Sequence, residues 1–286
     1  MSFVSIFIFA NIMLWLKIKS LGDEHILCPV NDRFNEITLE RFAIQPEKWK
    51  IITVGSSATS MIPPLGYWPK EYYSITQLGG TATTGIEAIL RSGAKPKRVF
   101  IEADFLNKDT DKEILDQTFS KANLIIKKYF PIFRKEYSPI VYFHTIIYPQ
   151  INYNVKSNES NESDVWNKKK DELGNKVRKR LAIEEEKKVP DLIIKTQPDI
   201  IIKTRIKEIR NVVDKIRNNG AEVIFFTLPL HPILTNDKKY QKWNEYIKNE
   251  FKDYKWVSFA PEKFLTGDGI HPTPEAGYRM FQKLVE

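Results

Sequence analysis

Three residues of this 286-residue chain have the types and placement for acyl transfer. Ser57 lies in Gly55-Ser56-Ser57-Ala58-Thr59, directly after the β-branched run Lys50 to Val54 (KIITV). A serine at a strand-to-helix turn presents its hydroxyl at a sheet edge. Its own backbone N–H, near a helix N-terminus, can stabilise an oxyanion. The hydroxyl is a weak nucleophile until a histidine takes its proton, and that histidine needs a carboxylate to hold its tautomer. Asp268 and His271, in Asp268-Gly269-Ile270-His271-Pro272, can supply that pair from a single loop. Each fragment alone has a plain structural reading, because Asp-Gly is a common turn and serine-rich turns cap helices. In this order, each at the end of its own element, they point jointly to an enzyme.

Such loops need elements to hold them. Lys50 to Val54, Tyr73 to Leu78, Arg98 to Glu102 (RVFIE), Glu222 to Thr227 (EVIFFT) and Tyr254 to Phe259 have the composition of strands. Helical spacing predicts a helix over Thr83 to Ser92, stopped by Gly93, and another over 111–130, ended by Pro131. Ile202, Ile206, Ile209, Val213 and Ile216 mark a third, closed by Gly220. Tyr240, Trp243, Ile247 and Phe251 mark a fourth, and Thr273-Pro274 opens a last one. This alternation predicts a three-layer α/β/α sandwich around a mostly parallel, flavodoxin-like sheet. Ligands of such sheets bind beyond the carboxyl ends of the strands. Gly55 to Thr59, Gly79-Gly80-Thr81 and Ala103 to Asn107 all fall there. Two stretches break the pattern. Residues 152–164 are Asn- and Ser-rich and predict a loop, and residues 168–188 predict a solvated helix with mixed ion pairs.

Composition narrows the function classes. Apolar residues at 42% and charged residues at 28% exclude a collagen-like, disordered or polytopic membrane protein. The net charge of +8 suits attraction to anionic glycans, lipids or nucleic acid, but no base-reading motif accompanies it, so nucleic acid is not expected as a partner. Cys28 has no partner for a disulfide or a thiolate zinc site, and no histidine pair has zinc-ligand spacing, so no metal is expected. Gly79-Gly80 lacks the lysine and the spacing of a phosphate loop, and no cofactor is expected. His231, in LPLHP, is a candidate substrate contact or a structural histidine, and His144 is read as a core histidine. Trp68 is a candidate sugar-stacking residue, with ordinary packing as the plain alternative.

The first residues stand apart. Met1 to Leu16 is an almost uninterrupted apolar run, somewhat short for a membrane span of about 20 residues. We expect residues 1–20 to be an uncleaved anchor and residues 21–286 a single α/β domain, a buried helix being the alternative for the run. Lys17 and Lys19, taken alone, would hold the following chain in the cytoplasm.

GSSAT and DGIHP together resemble the blocks of the SGNH (GDSL-like) hydrolases, in the order and spacing of that superfamily. The resemblance covers roughly residues 50–107 and 222–286 and leaves about 108–200 as an insertion. It implies Ser57 as nucleophile, His271 as base and Asp268 as its orienting carboxylate. It further implies an oxyanion hole of Ser57, Gly80 and Asn107, with Asp104 as the alternative to Asn107. Ser56 stands where the family usually has aspartate, as in some envelope-associated members. The implied function is a serine esterase or O-acyltransferase acting on acyl esters of an envelope polysaccharide, acetyl esters in the family's pattern. The domain would then be membrane-anchored and extracytoplasmic, in a bacterial envelope. The alternatives are a non-catalytic glycan-binding or assembly protein and an accessory partner of a membrane acyltransferase.

Overall fold

The alternating elements close into one sheet. A computed structural model of the chain describes residues 31–64, 67–106, 108–137, 162–186 and 199–286, with isolated positions between 5 and 16. Strands β1 (Ile51–Ser56), β2 (Tyr72–Gln77), β3 (Arg98–Glu102), β4 (Glu222–Thr227) and β5 (Lys255–Ser258) are parallel and lie in the order β2-β1-β3-β4-β5. The chain steps outward from β1 to β2, then returns to β3 on the other side of β1. Such a reversal leaves a crevice at the carboxyl ends of β1 and β3, because the two connections diverge to opposite faces.

Two faces of the sheet carry two cores, and side-chain alternation assigns each residue to one of them. Ile52, Val54, Val99, Ile101, Val223 and Phe225 point to one side. They are covered there by α1 (Asn31–Ile44), α2 (Ala82–Ser92), α6 (Asp199–Asn218) and α8 (Lys238–Glu250), through Phe42, Ile86, Ile89, Val213, Ile216, Trp243 and Ile247. Phe100, Ile224 and Phe226 point to the other side, against Met280, Phe281 and Leu284 of α9 (Pro274–Val285). The fold is thus the three-layer α/β/α sandwich that the alternation predicts. Phe100, Phe225 and Phe226 are fully buried, each stabilising the sheet by roughly 1.5–3 kcal/mol relative to an exposed ring.

Some elements differ from the sequence reading. The helix expected over 111–130 is two helices, α3 (Lys112–Thr118) and α4 (Lys121–Tyr129). Phe119 N–H closes α3 on Leu115 O, and Ser120 leaves the helical region at φ −59°, ψ 128°. α1 falls where no element was expected. The charged helix α5 (Glu162–Glu186) is not solvated on every side, because it buries Trp166, Leu173 and Val177. The short helix α7 (Pro232–Thr235) follows β4, with His231 as its N-cap. Of the loop expected over 152–164, residues 162–164 instead form the start of α5, and the remainder, with His25, Cys28 and His144, lies outside the described residues. Ser5, Ile6, Ile8, Phe9, Ile12, Met13 and Leu16 are helical. Among the described residues no helix is long and apolar enough to cross a membrane.

Candidate active site

The turn carrying Ser57 is built by close approach of backbone to a buried acid. β1 runs on to Ser56, and a 3₁₀ turn, Ser57–Met61, starts at the next residue. The first N–H groups of a helical turn have no partner within it, so the Ser57 N–H is one that the turn itself leaves unmatched. Glu102, at the end of β3, is fully buried and accepts from Ser56 N–H at 2.6 Å and from Ser56 Oγ at 2.9 Å. A Cβ on Gly55 would lie 2.4 Å from Glu102 Oε2 and 2.2 Å from Thr59 Cγ2, so only glycine permits this contact. Thr59 Oγ1 donates to Ser56 O at 2.7 Å and ties the turn from within.

His271 and Asp268 come from the loop before α9. His271 Nε2 lies 2.8 Å from Ser57 Oγ, and His271 Nδ1 lies 2.8 Å from Asp268 Oδ2. Asp268 Oδ1 accepts from the backbone N–H groups of Ile270 at 3.0 Å and His271 at 2.8 Å. Arg180 of α5 reaches Asp268 Oδ2 at 3.2 Å. Burial opposes ionisation of Asp268, but the hydrogen bonds from the His271 ring and backbone outweigh it and hold the carboxyl well below the usual aspartate range. Asp268 is therefore an anion at neutral pH, able to accept Nδ1–H and leave Nε2 as the basic nitrogen facing Ser57. That is the arrangement a serine needs for activation. The loop is folded by Gly269 at φ +87°, by Gly267 N–H on His271 O at 2.9 Å, and by His231 N–H on Gly269 O at 2.9 Å. Thr273 then caps α9 through Ala276 N–H, with Pro274 in its first turn.

The remaining candidates are placed as follows. Gly80 N–H donates to Gln77 O at 3.0 Å, within the turn that follows β2. Asn107 lies outside the described residues. Asp104 is buried with one carboxylate oxygen on Leu228 N–H at 2.7 Å and the other on the Tyr240 hydroxyl, so it fastens the end of β3 to the β4 loop and α8. Burial raises Asp104 to about 6 against those hydrogen bonds. Burial, and next to it the Asp104 charge, push Glu102 up to about 8. His231 is buried against Trp166, with Nδ1 accepting from Ile233 N–H and Nε2 3.0 Å from Lys170 O. Both ring nitrogens are thereby occupied in bracing α5 over the acid–base loop. Trp68 donates Nε1–H to Pro63 O and packs edge-on to Tyr72 and Tyr73.

The sequence reading did not single out Glu102 or Arg180. A glutamate ending the apolar run RVFI of a buried strand is a signal for the first. Nothing local marks Arg180 among the many charges of α5. Among the described residues, no three His, Cys, Asp or Glu side chains are grouped to hold a metal ion.

No protein-family model matches this chain, and no curated protein or solved structure shows significant similarity to it.

Proposed function

We propose that this chain is a serine acyl-ester enzyme of the SGNH type, an esterase or O-acyltransferase working through acyl-Ser57. The observation that carries the reading is the unbroken relay Ser57 Oγ–His271–Asp268, with both links at 2.8 Å. Ser57 Oγ attacks the ester carbonyl while its proton passes to His271 Nε2. Asp268 stabilises the imidazolium that results, and Ser57 N–H is placed to donate to the new oxyanion. The tetrahedral species collapses as His271 returns the proton to the departing alkoxide, leaving the acyl group on Ser57. A water or sugar hydroxyl then gives its proton to His271 and attacks the acyl carbon, and as the acyl–oxygen bond breaks His271 returns that proton to Ser57 Oγ. The resemblance of GSSAT and DGIHP to envelope-associated SGNH proteins, with the apolar run at Met1 to Leu16, supports an acylated envelope polysaccharide as substrate and a membrane-anchored setting.

One observation favours a second reading, a non-catalytic protein that keeps the cleft. Gly80 N–H is already engaged by Gln77 O, which leaves Ser57 N–H as the donor on the nucleophile side. Intact-mass analysis after exposure to a fluorophosphonate and to an activated acetyl ester separates the two readings. A single covalent adduct on the native chain, absent from a folded Ser57→Ala variant, is the expected result. A folded native chain that takes no adduct from either reagent refutes the enzyme reading.

A further inference from the structure

α4 is a helix that turns Ile125, Ile126 and Tyr129 away from the protein. None of its residues is buried, and Ile125, Tyr129 and the adjoining Phe130 are 60%, 69% and 57% exposed. Ile126 and Phe133 are exposed as well, and the Phe130 and Phe133 rings meet edge to face. Scattered exposed apolar side chains are ordinary, but a contiguous aliphatic and aromatic face of this kind marks an interaction surface. Its orientation is fixed from behind. Lys127 Nζ is paired with Glu40 Oε1 of α1, Lys135 N–H donates to Glu40 Oε2 at 2.8 Å, and Arg134 Nε donates to Lys127 O at 2.8 Å. Arg41 of α1 pairs with Glu136 immediately beyond. The polar side of this segment is thus pinned to the domain, and the apolar side faces outward by construction.

Charge selects the partner. Residues 119–135 (FSKANLIIKKYFPIFRK) contain five basic residues and no acidic one; Lys127, Arg134 and Lys135 pair with Glu40, Glu136 and Glu36, and Lys121 and Lys128 remain on the outer side. Lys121 and Lys128 are exposed along one edge of the face formed by Ile125 and Tyr129. Aliphatic and aromatic side chains flanked by long cations suit the boundary between acyl chains and anionic head groups, where the rings bury and the ammonium groups stay wet. α1, the helix that pins this segment, is also the first described helix after the apolar run Met1 to Leu16, whose Ile6, Phe9, Met13 and Leu16 are about half exposed. We infer that the α4 face, Ile125, Ile126, Tyr129 and Phe130 with Lys121 and Lys128, is a second membrane contact that seats the domain on an anionic phospholipid surface. This inference stands independently of the chemistry at Ser57.

The test uses the full chain with Cys28→Ser and Tyr129→Cys, labelled with a polarity-sensitive fluorophore, and the same label at Glu245→Cys on α8 as a reference. Both proteins are bound to vesicles of phosphatidylcholine alone, or with about a third phosphatidylglycerol. The expected result is a blue shift at position 129 that needs phosphatidylglycerol, is quenched by brominated acyl chains and is missing at position 245. Lys121→Gln and Lys128→Gln should each lower the docked-to-undocked ratio about fivefold. A label at 129 that behaves like the one at 245 on bound vesicles overturns the inference, because the chain is then held by its first residues alone. A label already blue-shifted without vesicles overturns it in favour of cover by this chain, and one shifting only with protein concentration in favour of a second copy.

Discussion

Replacing Glu102 by glutamine should flatten the fall of stability between pH 6 and 8. The side chain is fully buried and touches Ser56 N–H at 2.6 Å and Ser56 Oγ at 2.9 Å. Glutamine keeps the shape of the site: its amide oxygen accepts from Ser56 N–H and its amide nitrogen donates to Ser56 Oγ. What it removes is the proton equilibrium. Burial and the neighbouring Asp104 raise Glu102 from an ordinary 4.5 to about 8 in the folded protein. Its stabilising contribution is therefore complete below 4.5 and is lost as pH rises towards 8, since the folded state holds a proton that the unfolded chain has released. Asp104, raised to about 6, contributes in the same sense but is spent at lower pH. Between pH 6 and 8 the native chain should thus lose about 2 kcal/mol through Glu102, at close to 1.4 kcal/mol for each pH unit near pH 6 and about half that near pH 8. Glu102→Gln should lose none of that. Urea unfolding of both proteins at pH 6, 7 and 8, followed by tryptophan fluorescence, reads the difference directly. Parallel stability profiles over that interval would falsify the assignment of Glu102 as a neutral acid beneath the nucleophile turn.

Two further substitutions probe the relay and its support. Asp268→Asn removes the anion that orients the His271 ring, so kcat for ester cleavage should drop by about 10⁴-fold while circular dichroism stays unchanged; activity near the native level would mean that the carboxylate only folds its loop. Gly277→Ala would put a Cβ 1.7 Å from the Met61 carbonyl oxygen, where α9 meets the end of the Ser57 turn. Relief of that overlap should cost about 3 kcal/mol and reduce adduct formation at Ser57, read by denaturation and mass spectrometry on the same sample.

The residues of the relay are legible because their chemistry is local. Ser57 is marked by the strand that ends beneath it, and Asp268 and His271 share one turn. Strands β3 and β4 begin and end where their β-branched and aromatic runs do, because a parallel strand buried on both faces has little polar pattern to blur it. Other parts depend on partners far along the chain. α1 escapes notice because it buries Glu40, which is tolerable only through Lys127 and the Lys135 N–H. α5 hides its seam because Trp166, Leu173 and Val177 are a thin stripe among charges. Arg180 acquires a role only when that seam docks across the acid–base loop. Asp104 illustrates the reverse: its position in a β–α loop suggests the cleft, but the Tyr240 hydroxyl and Leu228 N–H claim it for the interior.

The relay joins residues 214 positions apart, Ser57 after the first strand and His271 after the last. During synthesis, β1 and its serine leave the ribosome long before the base exists. The serine is then an ordinary alcohol, and it stays so until β4 and β5 have added to the sheet and the loop carrying Asp268 and His271 has closed over it. A nascent chain, or one stalled anywhere before that loop, would carry Ser57 without its histidine partner. The order of synthesis thus keeps the two halves of the relay apart until the last strand is in place.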